Sequence, residues 1–438
     1  MNLQEHVELI REVFYYLRRF RGATFVVKVD YRALQAPHAP LLVRDIALLR
    51  QAGINVILVP GAKERIDEIC RQYGISWEEK DGVRISPEEA MPFIEMAAFD
   101  VSTRLMTALA GEGIHAVVGN WVRARSLGVI DGVDFLRTGR VDRVNIEPVV
   151  KLLHDEIVPI FPCVGWNAQG KPYNISSNEL AGTIAAQLSA EKLFYLIDRP
   201  GYRAADLLLP EGVVLTEEGY ISRLTVEQAE ALLEMNPGSR SHLEHIAHAA
   251  RACRAGVDRV HILNAMIDGV LLKEIFSNLG VGTMIHRNEF ESIRPMREED
   301  VPAVLRLMDP LIREGVLLPR SADQLRNEYQ NFYVYELDGS IYGCGALYIY
   351  GKEGEVAGLA MDSTVRHLGI GRRLTTFLID QARKAGLTRL FALTTQASDW
   401  FEQMGFSLSS PEELPPERRR RYLPSRNSRV YVKDLDHD

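Results

Sequence analysis

The sequence predicts a two-unit α/β chain, with a three-layer α/β/α unit first and a smaller α+β unit after it. Three observations carry this. Apolar strand-like runs alternate with helical runs, joined by short loops, as far as about Ile285, which is the signature of a mainly parallel sheet covered on both faces. The pattern then resets in the short polar segment His286–Ser292. Beyond it, antiparallel strand signals around Asp338-Gly339 lead into an apolar run, a polar turn and a glycine pair that opens a helix. The expected units are residues 1–287 and 293–438.

Taken in order, residues 2–20 read as an amphipathic helix through Val7, Ile10, Phe14 and Leu17, with Arg18, Arg19 and Arg21 at its end, where cations suit the helix dipole. Strands follow at 24–29, 55–59, 116–118, 157–162, 193–197 and 260–263, with helices at 41–51, 64–73, 93–111 and 179–188. The second unit opens with a strand from Ile293, then helices at 301–308 and 322–330 and strands at 332–337 and 343–350. The run 355–361, a helix through Leu374, Phe377, Leu378 and Ala382 that stops at Gly386, and strand 390–393 come next. A helix at 399–404 and strands near Phe406 and at 429–432 close it, and Arg418–Arg421, beside Pro415-Pro416, read as a solvated loop, with contact to an anionic ligand as the alternative.

Composition narrows the function. The chain has 438 residues, a 46% hydrophobic and 25% charged composition and a net charge of −8, with a pI near 5.9. That balance argues against nucleic acid or an anionic membrane as the main partner. Four scattered cysteines form no C-x-x-C pair, and no run approaches a membrane span or a signal peptide, so a cytoplasmic address is expected. No metal is expected.

The most informative stretch is Glu355-Val-Ala-Gly-Leu-Ala-Met361 with the turn that follows it, Arg366-x-x-Gly369-x-Gly371. Consecutive backbone N–H groups at a helix N-terminus face an anion, and glycines let the main chain approach it closely, so this is the pattern of a pyrophosphate cradle. A Gly-x-Gly alone would equally suit a tight strand-to-helix turn.

With Ala392-Leu-Thr-Thr395, Trp400-Phe-x-x-x-Gly405-Phe406 and the closing Arg426-Asn427-Ser428 downstream, the second unit resembles the GNAT acetyltransferases, whose cradle holds acetyl-CoA. The first unit resembles the amino acid kinase fold. That resemblance rests on Tyr173–Ala181, Ala190–Asp198, Gly128–Asp134, Asp268–Phe276 and Gly280–Met284. The two in this order, over essentially the whole chain, resemble the bacterial N-acetylglutamate synthase family. The resemblance implies acetyl transfer from acetyl-CoA to the α-amino group of L-glutamate, the first step of arginine biosynthesis, with feedback by L-arginine and a homo-oligomer, hexameric in the family. The departures matter. The first-strand lysine stands as Lys28, but Val29-Asp30-Tyr31 replaces the kinases' glycine pair, and the second loop reads Val59-Pro-Gly61-Ala-Lys-Glu-Arg. Side chains there obstruct close approach to phosphate, and Glu64 adds like charge, so kinase chemistry is expected to be lost and an effector-sensing scaffold kept. An acetylglutamate kinase-like or bifunctional enzyme, and a GNAT enzyme with another amine acceptor, are the alternatives.

The resemblance also implies residue roles. Glu355 would be the general base, acting through water, with burial raising its pKa; an edge-strand glutamate facing solvent is the plainer reading. Thr394 stands where relatives carry a serine hydroxyl near the thiol. Arg320, Gly358, Arg426 and Ser428 would bind the substrate, since guanidinium forks match glutamate's two carboxylates. Gly358 departs from the cysteine of some relatives and would act through its backbone. Leu359, Ala360 and Met361, then Arg366, His367, Leu368, Gly369, Ile370, Gly371 and Arg372, would hold the cosubstrate. Tyr16, His261, Glu274 and Gly282 would hold arginine, Glu274 pairing with its guanidinium.

Overall fold

The computed structural model describes residues 13–14, 16–276, 281–287, 291–337, 340–362 and 369–435. The chain divides into two compact units, Met1–Asn288 and Glu289–Asp438.

The first unit is built on a nine-stranded sheet in the order Val214–Leu215, Ile221–Thr225, Thr283–His286, Arg259–Asn264, Lys192–Ile197, Thr24–Val29, Asn55–Pro60, Val158–Ile160, Ala116–Val118. The uninterrupted apolar strands are the central, parallel ones. Their side chains alternate between two cores: Val26 joins one, while Phe25, Val27 and Val29 join the other. Helices Ala39–Gln51 and Met91–Gly111 and helices Ser177–Gln187 and Glu244–Arg254 supply the covering layers. The last strand, Thr283–His286, runs antiparallel to Arg259–Asn264, so the sheet is mixed at that edge.

Two features differ from the sequence reading. A second sheet of four short strands, Pro172–Asn174, Val164–Trp166, Val122–Ser126 and Gly139–Val144, lies between the expected elements. Two of its strands have three residues and the other two carry arginines, and only Val122 and Ala124 of Val122–Ser126 face inward, so no apolar run announces them. At the N-terminus, Phe14 is 68% exposed, whereas Tyr16 and Phe20 are buried. The described part of the first helix therefore turns a different face inward, because its contacts are the aromatic rings of Phe25 and Phe276. Val7 and Ile10 lie outside the described residues.

The second unit is a seven-stranded sheet in the order Glu291–Pro295, Phe332–Leu337, Ser340–Tyr350, Glu353–Met361, Arg389–Thr394, Arg429–Asp434, Ser407–Ser409. The turn Asp338-Gly339 is outside the described residues. Its one parallel pairing joins Glu353–Met361 to Arg389–Thr394, and the crossover carries helix Ile370–Lys384. Leu374, Leu378 and Ala382 of that helix are buried, the last two against Leu347 and Val356 on one sheet face. Helix Val301–Arg313 packs with Phe332, Ala346 and Ala360 in a separate core.

Candidate active site and effector site

The parallel strands of the second unit pair over three positions only, ending at Glu355 opposite Phe391. Glu353–Met361 continues for six residues and Arg389–Thr394 for three without further pairing between them, so the sheet parts there. A register shift against Ser340–Tyr350 adds a bulge just beyond, where Gly358 takes φ +61°. A Cβ at Gly358 would come within 3.2 Å of the Phe332 ring, so conformation and space both ask for glycine.

Glu355 lies at the root of this parting and is 6% exposed. Its register partners are Tyr348 and Phe391, so the three side chains rise from one face of the sheet. Arg418 donates from Nε to Oε2 at 2.7 Å and from Nη2 to Oε1 at 3.0 Å, and the Tyr350 hydroxyl lies 3.4 Å from Oε2. The solvated-loop expectation is thus corrected at Arg418: helix Pro416–Arg419 turns it inward, because a buried carboxylate requires a partner. The plainer reading of Glu355, a solvent-facing edge glutamate, is also set aside by its burial. Burial pushes the Tyr350 hydroxyl pKa up, and the Glu355 charge adds to that.

Thr394 ends the other strand. Its buried Oγ1 accepts from the backbone N–H groups of Ala397 at 2.8 Å and Gln396 at 3.3 Å, shaping the turn into helix Ser398–Gln403 and leaving its own proton to donate. Arg320 donates from Nη1 to Tyr348 Oη at 2.7 Å and to Glu328 Oε2 at 2.8 Å, and its guanidinium lies 5.3 Å from the centre of the Phe332 ring that abuts Gly358. Arg426 donates from Nη2 to the carbonyls of Gly315, at 2.9 Å, and Val316. Arg426 therefore holds the start of the loop 315–320, whose last residue is Arg320. Ser428 lies nearby in sequence, its carbonyl accepting from the Tyr422 hydroxyl at 3.0 Å. Glu328, Tyr348 and Arg418 were missed by the sequence reading, and no local motif marks them.

On the cradle side, Gly369 is the helix N-cap in the left-handed conformation, Ile370 is buried, and Arg372 is exposed. A Cβ on Gly371 would stand 3.4 Å from the Trp400 ring and 3.9 Å from Met361. Leu359 and Met361 are half-buried and Ala360 is buried at the strand's end. Arg366, His367 and Leu368 lie outside the described residues. A left-handed glycine cap followed by free helical N–H groups suits a diphosphate.

In the first unit, His261 Nδ1 and Glu274 Oε1 are 2.6 Å apart, and Glu274 Oε2 accepts the Val281 N–H at 2.6 Å. Burial holds His261 below the usual histidine range. For Glu274 burial acts upward, but the His261 and Val281 hydrogen bonds outweigh it and keep the carboxyl ionised. A neutral His261 giving its Nδ1 proton to the carboxylate leaves Nε2 as an acceptor, and that buried atom has no partner among the described residues. Tyr16 stacks on Phe20. Gly282 admits no Cβ, which would lie 2.3 Å from the Ile262 carbonyl oxygen. Lys192, also missed, is buried beside this group with its pKa lowered to about 8 by burial, against the pull of Glu274.

At the C-terminal ends of the central strands, where this fold class places ligands, Lys28 is paired with Asp30. The adjoining cleft, about 500 Å³, is lined by Glu64, Asp67 and Glu68 against Arg32 and Arg71. That is a poor field for polyphosphate.

Fold and site together define a GNAT-type acyltransferase carried behind an amino acid kinase-fold unit. The amino acid kinase family profile matches residues 23–264, and the acetyltransferase (GNAT) family profile matches residues 297–406. An amino-acid acetyltransferase of Neisseria meningitidis is 34% identical, over 97% of this chain and 97% of its own length. One from Ralstonia nicotianae is 32% identical over 99% and 96%. A crystal structure of N-acetylglutamate synthase from Neisseria gonorrhoeae complexed with coenzyme A and L-arginine matches with a TM-score of 0.85 at 34% identity, covering 98% of this chain and 99% of that one. A second structure of that enzyme is complexed with coenzyme A and N-acetyl-glutamate. The chain belongs to the amino-acid acetyltransferase family, the acetyl-CoA-dependent amino-acid N-acetyltransferases.

Proposed function

We propose that the protein transfers acetyl from acetyl-CoA to the α-amino group of L-glutamate, as the first step of arginine biosynthesis, with L-arginine as effector. The observation that carries this reading is the parting of two parallel strands between Glu355 and Thr394, with the glycine bulge above it. Unpaired strand edges can take the amide groups of the coenzyme's pantetheine arm, and the glycine-capped helix its diphosphate.

In this reading the α-ammonium gives up a proton through water to Glu355, and the free amine attacks the thioester carbonyl. Backbone groups at the Leu359 bulge polarise that carbonyl. The C–S bond breaks as Thr394 passes its proton to the departing thiolate and takes, through water, the second proton that the attacking nitrogen gives up. Arg320 and Arg426 each retain N–H donors for the glutamate carboxylates, since a guanidinium has five and their protein bonds use few of them. In the first unit, the Glu274 carboxylate and the Nε2 acceptor of His261 form a buried pair suited to a guanidinium. Kinase activity is absent in this account, because Asp30 takes up Lys28.

A cytoplasmic address and a hexamer of the family's kind belong to the same reading. The address is supported by four buried free cysteines, and the hexamer rests on the family resemblance alone. The test is thiol release from acetyl-CoA with and without L-glutamate, then with added L-arginine. Glutamate-dependent release that responds to arginine is expected. Release that is equal with a lysine peptide, or absent with glutamate, sinks the substrate assignment.

A further inference from the structure

The segment between strands Ser407–Ser409 and Arg429–Asp434 is pinned onto the sheet face that carries Glu355. Arg419 binds the carbonyls of Glu412 and Leu414, and the Tyr422 hydroxyl binds that of Ser428. Within it, Arg418 makes the one two-pronged contact with a buried carboxylate. Its side chain is 14% exposed and that of Glu355 is 8%. A fork of this kind fixes two oxygens at once, so it sets the rotation of the carboxylate as well as its position. A carboxylate buried beside Phe391, with only the Tyr350 hydroxyl near it otherwise, would carry a large desolvation cost without that cation.

We infer that Arg418 is a positioning residue for acetyl transfer, fixing the Glu355 carboxylate in place and aiming it at the parting of the strands. This rests on the reading of Glu355 as the base. The groups facing Glu355 are few: Arg418 from the short helix, the Tyr350 hydroxyl and Tyr348 from the neighbouring strand, and apolar Phe391 from the other, with Arg421 acting on Tyr350 from farther along the segment.

The experiment uses the full chain, with kcat read at saturating substrates and KM from an acetyl-CoA series. Wild type must first release thiol in a glutamate-dependent way; failure there overturns the transfer reading itself, apart from any role of Arg418. Arg418→Gln is expected to lose on the order of ten- to hundred-fold in kcat, a coupling typical of residues in direct contact. Its KM for acetyl-CoA should stay within about twofold. The double variant with Glu355→Gln should be no slower than Glu355→Gln alone, within about twofold, because the arginine acts through the carboxylate. A folded Arg418→Gln with wild-type kcat, or a double variant whose losses multiply, overturns the inference. Should Arg418→Gln fail to fold by circular dichroism, Arg418→Lys carries the test, since it keeps the charge and loses the fork. A kcat reduced several-fold is expected of it, and wild-type kcat overturns the role of the fork.

Discussion

The ammonium of Lys28 is paired with the carboxylate of Asp30, two residues along, at the end of the first strand. Both are well enclosed, and Asp30 stands where a phosphate-binding loop would bring bare backbone. The pair neutralises the one cation that this strand end offers, and Glu64, Asp67 and Glu68 line the cleft beside it. The first prediction is that the protein forms no ADP from ATP with N-acetylglutamate present. Calorimetric titration with MgATP should give no heat of binding, and Asp30→Asn should not create one, because the acidic cleft and the side chains on the loop remain. Saturable binding by either protein would revive the kinase alternative.

The buried pair of His261 and Glu274 gives the second prediction. Glu274→Gln removes the charge that would meet a guanidinium, and a hydrogen bond to a charged group contributes about 1.5–3 kcal/mol. The arginine concentration needed for half its effect should therefore rise at least about tenfold, read from thiol-release curves over an arginine series. An unshifted curve would place the effector elsewhere.

Thr394 separates chemistry from capping. Thr394→Ser keeps both the proton and the acceptor for the Ala397 N–H, and it should keep kcat within a few-fold. Thr394→Val removes both and should lower kcat by about a hundredfold if the hydroxyl is the proton donor. A valine variant with near-normal kcat and a lowered melting temperature would leave the hydroxyl as a turn cap only.

At Gly358, alanine must adopt φ near +61° and push into Phe332. A left-handed non-glycine residue costs roughly 1–2 kcal/mol. Gly358→Ala should lower the unfolding free energy by about that amount and reduce kcat more than acetyl-CoA affinity. The check is a urea titration beside steady-state kinetics, and a variant as stable as wild type would mean that the bulge relaxes.

His245 supplies a pH dependence. It is buried edge-on to Tyr195, and burial, followed by the charges of Lys28 and Arg199, lowers its pKa to about 2. The unfolded chain takes up this proton below about pH 6.5 and the folded chain does not, so stability falls as pH drops from 6.5 toward 2. At pH 5 this residue alone should account for about 2 kcal/mol. His245→Gln should therefore lose less stability than wild type between pH 7 and pH 5 in urea unfolding. Equal losses would show that other groups govern the acid limb of stability.

How much of this was legible in the sequence follows from physical range. The central strands were readable because a strand buried on both faces is apolar at every position, as in Lys192–Ile197 after its first residue. The helix after the glycine pair was readable from Leu374, Leu378 and Ala382. The four-stranded sheet was not, since three-residue strands such as Val164–Trp166 and Pro172–Asn174 leave no period to read. At the site, Glu355, Thr394 and Gly358 stood out through motifs, whereas Arg418 lies 63 positions from its carboxylate within a run of four arginines. Nothing local distinguishes the arginine that turns inward from the three that do not. Lys192 was hidden likewise, because lysine at a strand start is ordinarily a surface residue.

The parting of the two parallel strands bears on how the second unit is held together. Backbone donors and acceptors along 356–361 and 392–394 lie on strand edges that the partner strand does not reach. A coenzyme laid between them would act as a short non-peptide strand, stitching the halves of the sheet from within. Its binding would then be a step of assembly as much as of recognition. The cell's supply of acetyl-CoA would set how firmly this half of the molecule resists unfolding and proteases, so nutrient status would be written into the lifetime of the enzyme as well as its rate.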